Sequence, residues 1–108
     1  SSVGDITESD LKDRRILGEE GFISIIVVVD SVTGKVSAGP EIHARGNALE
    51  GESFEDVKKL VVLALDTTIA EGNTDAYQLQ QTVRRTVGRW VSNTHRRRPM
   101  IIPVVVEA

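Results

Sequence analysis

The stretch Phe22 to Asp30 reads FISIIVVVD, a nearly unbroken run of β-branched residues. A run of this kind and length marks a strand that is central in its sheet or covered on both faces. Ile23, Ile25, Val27 and Val29 occupy one face of such a strand, and the equally apolar Ile26 and Val28 fall on the other. One face serves the core of the domain. The second must then be covered by the preceding segment, by another domain or by another subunit.

Downstream, SVTGK places Gly34 in a short polar segment between two apolar runs, the pattern of a hairpin turn. The returning strand is KVSAGPEIHARG, Lys35 to Gly46. Gly39-Pro40 interrupts it, and proline cannot donate to a ladder, so a bulge, a kink or an edge position is expected there. GNALEGES follows as a loop. Ser53 with Asp56 resembles a helix N-cap with an acid in the first turn. Phe54, Val57, Val61, Ala64, Leu65 and Thr68 then recur at helical spacing, widened by Leu60 and Leu63, up to about Glu71 with Gly72-Asn73 as the stop. Thr74 or Asp75 caps a second helix, whose core face is Leu79, Val83, Val87, Trp90 and Thr94. Pro99 disfavours helix at Arg98, so this helix ends by about Arg97. MIIPVVVE is a third strand, and Pro103 again points to an edge or a bulge.

The order β-β-α-α-β gives an α+β fold: a two-layer sandwich, a three-stranded sheet with two helices on one face. Strand three runs antiparallel to strand two and parallel to strand one, and which of them it joins is open. Residues 21–108 form the domain. Residues 1–20, SSVGDITESDLKDRRILGEE, are polar with no sustained period and read as a linker or lead-in.

Composition narrows the function. The 108 residues suit one domain, and 40% hydrophobic residues are enough to bury a core. There is no cysteine, hence no disulfide and no thiolate metal site. No apolar run is long enough to span a membrane. The net charge of −3 lacks the basic footprint of a typical nucleic-acid binder. Charge is nonetheless segregated. Glu50 to Asp75 carries seven acids against two lysines, whereas Tyr77 to Arg98 carries six arginines (Arg84, Arg85, Arg89, Arg96, Arg97 and Arg98) and no acid. Arg85, Arg89 and Arg96 fall on one helical stripe opposite Val83 and Val87, and Arg96 extends it. An arginine ridge suits phosphate contacts. A solvated surface, the helix dipole at Arg96 to Arg98, and pairing with the acidic helix explain the same residues. No aromatic platform interleaves the arginines.

Catalytic signatures are missing. His43 and His95 stand in no metal-ligand spacing, no serine elbow is present, and Glu19-Glu20 sit in the lead-in. The chain by itself is expected to be non-catalytic and to hold no cofactor or metal.

DLKDRRILGEEGFISIIVVVD, AGPEIHARG and RRPMIIPVVVE, in that order, resemble the C-terminal domain of ribonuclease J. The resemblance runs from about Gly4 to Glu107. It departs at Asn47, where relatives often carry an aromatic after the Arg-Gly pair. It implies a parent enzyme of the metallo-β-lactamase and β-CASP type, a hydrolase using zinc in its catalytic domain. That parent would act on RNA as a 5′-to-3′ exonuclease and endonuclease in mRNA decay and rRNA maturation, in the cytoplasm. The domain itself would support oligomerisation into dimers or tetramers and position the catalytic core. An RNA-binding module built on the six arginines, and a docking surface for another decay or ribosomal factor, are the alternatives.

Overall fold

The computed structural model describes residues 20–46 and 48–108. The lead-in expected for residues 1–20 lies outside them apart from Glu20, and so does Asn47.

β1 (Phe22–Val29) is the middle strand of a three-stranded sheet, order β2-β1-β3. β2 (Val36–Arg45) pairs with it antiparallel, and β3 (Met100–Glu107) pairs with it parallel. The open question of the third strand is thus settled in favour of β1. Its parallel direction forces a crossover, which the two helices supply. They are α1 (Glu55–Ala70) and α2 (Ala76–His95). Both lie on one face of the sheet, α1 over β2 and α2 over β3.

The core follows from the period of two in the strands and of 3.6 in the helices. Ile23, Ile25, Val27 and Val29 are buried under the helices together with Ile42, Ala44, Ile101 and Val105. Val57, Val61 and Leu65 of α1 meet them, as do Leu79, Val83, Val87 and Val91 of α2. Each such side chain contributes about 1.5–3 kcal/mol relative to leaving it exposed. Aromatics play a small part. Trp90 is half-buried at the margin, edge-on to Phe54 at 6.0 Å and to His95 at 5.2 Å.

Four local expectations need correction. α1 begins one residue later than Ser53: its N-cap is Phe54, and the Ser53 hydroxyl only reaches the Glu55 N–H at 3.5 Å. Leu60 and Leu63 fit the helical spacing but lie on the outer side of α1, 44% and 64% exposed. In α2 the fourth core residue is Val91, four beyond Val87, while Trp90 is lateral and Thr94 exposed. Finally, α2 ends at His95, and Arg96 caps it in the left-handed conformation at φ 53°.

Pro40 and Pro103 sit on edge strands, where a missing donor need not break a ladder. The register of β1 with β2 is interrupted between Ile26 and Val28, opposite the cis Gly39-Pro40 bond. Gly39 has φ +82°, and a Cβ there would come 2.6 Å from the Ile26 carbonyl oxygen. Only glycine lets the bulge form. The hairpin turn is built on Asp30. Its Oδ1 accepts the N–H groups of Val32 and Thr33, both at 2.8 Å, and the Gly34 N–H donates to the Asp30 carbonyl. These backbone donors, Thr33 first and then Val32, hold the Asp30 carboxyl below its ordinary 3.8.

Candidate interaction surfaces

Two surfaces stand out, one on each side of the molecule. The first is the sheet face turned away from the helices. Register defines its rows. Ser24 lies between His43 and Ile102, Ile26 between Glu41 and Val104, and Val28 between Ala38 and Val106. The β3 half is aliphatic: Ile26, Ile102, Val104 and Val106 are each about two-fifths exposed, at 38–43%. The β2 half is polar. His43 Nε2 and Glu41 Oε1 lie 2.8 Å apart across this surface. Burying such a contiguous aliphatic strip against a partner is favourable.

The second surface is the outer groove between α1 and α2, a cleft of about 630 Å³. Leu60 and Leu63 form one wall, and Arg85 and Arg89 line the other. Threonines make up much of the floor, and their hydroxyls are already engaged. Thr67 donates to the Leu63 carbonyl, Thr82 to that of Gln78, Thr86 to that of Thr82 and Thr94 to that of Trp90, at 2.6–3.1 Å. Thr68 and Thr82 also share a 3.2 Å contact between the helices. With these hydroxyls turned onto helix carbonyls or onto one another, the groove has methyl groups left to offer a guest.

The six arginines of the sequence reading do not form one ridge. Arg84 reaches sideways and donates to the Ile101 carbonyl at 3.1 Å, fastening α2 to β3. Arg85 Nη2 donates to Thr82 Oγ1 at 3.4 Å and, with Arg89, stays on the groove wall. Arg96 does not extend that stripe, because the helix has ended and its backbone has turned left-handed. Arg97 Nη1 stands 3.7 Å from Glu20 Oε2, a charge contact longer than a hydrogen bond. Arg98 is exposed. A helical wheel detects the Arg85–Arg89 pair but cannot foresee the cap that removes Arg96. Spacing alone places the groove's leucines with the core stripe, whereas Leu60 and Leu63 lie on the outer side of α1.

No cluster of three or more histidine, aspartate or glutamate side chains converges as a metal-binding group among the described residues. The zinc implied for a parent enzyme has no such ligand set among the described residues. No helix among the described residues is long and apolar enough to cross a membrane.

The family model of the ribonuclease J C-terminal domain matches residues 10–108, nearly the whole chain. This chain belongs to that family. Ribonuclease J of Mycobacterium tuberculosis is 40% identical over 105 residues, covering 97% of this chain and 19% of the relative. Ribonuclease J of Mycolicibacterium smegmatis has the same identity and coverage, and ribonuclease J 2 of Staphylococcus aureus is 30% identical over 108 residues. The chain thus spans about a fifth of the length of these curated relatives, at 19%. What matches is the ribonuclease J C-terminal domain, and a ribonuclease J carries most of its length elsewhere.

Proposed function

We propose that this ribonuclease J C-terminal domain is a non-catalytic assembly element that joins copies of its parent enzyme and positions their catalytic cores. The parent is read as an RNA-cleaving, zinc-dependent hydrolase of mRNA decay and rRNA maturation, working in the cytoplasm. One observation carries the assembly role: Ile26, Ile102, Val104 and Val106 form an aliphatic strip on a sheet whose two described helices both lie on the other side. A two-fold axis through that strip would bury it against itself, with β3, an edge strand, near the axis. Such a contact closes a dimer, and a tetramer would need a second, different interface. A direct RNA role is not favoured, because Arg84 and Arg97 are engaged within the domain and Arg96 leaves the helical stripe.

The test is sedimentation of the chain across concentration, alongside the full-length ribonuclease with and without this domain. Self-association of the chain and a smaller oligomer on deletion are expected. A strictly monomeric chain, with an unchanged oligomer after deletion, would overturn the reading.

A further inference from the structure

We propose that the outer groove between α1 and α2 docks an acidic, amphipathic helical segment of another protein. The groove lies on the helix side of the molecule, away from the sheet face, so it is independent of self-assembly. Three observations define its guest. Leu60 and Leu63, one helical turn apart on α1, are exposed with no core to enter. Four of the threonine hydroxyls along the floor donate to their own helix carbonyls and that of Thr68 meets Thr82, so the surface favours aliphatic side chains over a hydroxylated ligand. Arg85 and Arg89 have no carboxylate within ion-pair distance among the described residues.

Their spacing selects helical carboxylates. Arg85 and Arg89 are one turn apart, about 6 Å along the axis. A guest helix with acids four residues apart on one side presents the same repeat, and its aliphatic side can settle on Leu60 and Leu63 as helices pack ridge into groove. Guanidinium and carboxylate groups then meet at the rim, where arginine can bind both carboxylate oxygens.

Single-stranded RNA fits less well. Stacking needs an open aromatic face, and Trp90 is half-buried between Phe54 and His95. Two arginines beside an aliphatic wall also make a short phosphate track in a chain whose net charge is −3. A second copy's α1 is a poorer guest too. Lys58 and Lys59 interrupt its acids, and Lys58 already sits 3.3 Å from Glu55.

The experiment uses a fluorescent synthetic helix of about five turns (~18 residues), leucines along one side and glutamates at four-residue spacing along the other. Binding to the 108-residue chain is read by anisotropy. A scrambled peptide and oligouridine serve as comparisons, and far-UV circular dichroism verifies each variant. The amphipathic peptide should bind and the scrambled peptide should not. Leu63→Asp, at an exposed position, should weaken binding by about tenfold or more, and so should Arg85→Glu with Arg89→Glu. A peptide with lysine in place of glutamate should bind the double variant better than the parent. No binding of the amphipathic peptide, or equal binding of the scrambled one, overturns the proposal. Oligouridine binding that is lost in the double variant, without peptide binding, makes the groove an RNA site instead. A double variant that changes sedimentation but not peptide affinity makes the occupant a second copy. Failure of the sheet-face assembly would alter none of these peptide readouts.

Discussion

Replacing Ile102 and Val104 together by threonine should separate copies of this domain without unfolding it. Both side chains are on the outer sheet face, at 38% and 41% exposure. Full burial of an aliphatic side chain is worth about 1.5–3 kcal/mol, so covering the remaining two-fifths is worth about 0.6–1.2 kcal/mol each. A two-fold interface uses every residue twice, giving about 2.5–5 kcal/mol for the four side chains. Association also carries its own cost, which makes absolute affinity hard to derive from area. The difference between variants is free of that problem. The dimer constant should fall by up to roughly two to three and a half orders of magnitude. Threonine keeps the β-branch and suits a strand, so the urea midpoint should move little. Sedimentation equilibrium at several concentrations measures the constant. An association constant within about threefold of the parent, with the fold retained, would show that this strip is not the interface.

Leu65→Ala should cost about 2–5 kcal/mol in urea unfolding because Leu65 is fully enclosed, whereas Leu63→Ala should change stability by no more than about 0.5 kcal/mol. Equal effects would contradict the assignment of the two α1 faces. Arg96→Gly should stabilise the chain by about 1 kcal/mol, raising Tm by about 4–8 °C, because Arg96 holds φ 53° without needing its side chain for the cap. A lowered Tm would mean that the arginine side chain itself secures the helix end. Asp30 governs an acid-side effect. Its folded value lies below its unfolded one, so its contribution is complete above about pH 4 and fades as pH falls through the depressed value. The Tm difference between the parent and Asp30→Asn should therefore change on acidification, and a difference constant from about pH 6 to about pH 2 would exclude the turn as its origin.

The architecture was legible because its signals were local and redundant. The apolar run at Phe22–Val29, the Gly34 turn and the Gly72 stop each mark one element, and the order of elements requires β3 to run with β1. The choice of β1 as the partner of β3 depends on three-dimensional packing, which no local pattern carries. Side-chain placement was less legible where two apolar sets compete. In α1, Val57–Val61–Leu65 and Leu60–Leu63 both have helical spacing, and only the sheet beneath decides between them. The arginines show the same limit. Arg85 and Arg89 follow from periodicity, but the fate of Arg84 depends on a carbonyl on β3, and that of Arg96 on a backbone turn.

The parallel pairing of β1 and β3 also shapes how the domain comes into being. β1 leaves the ribosome ahead of the other strands and can form its hairpin with β2 at once. Its second edge must wait until both helices and then β3 have been made. During that interval the most apolar strand of the sheet has an unsatisfied side, the condition under which strands recruit the wrong neighbour. Synthesis of the last strand is therefore the step that closes the central strand to such partners.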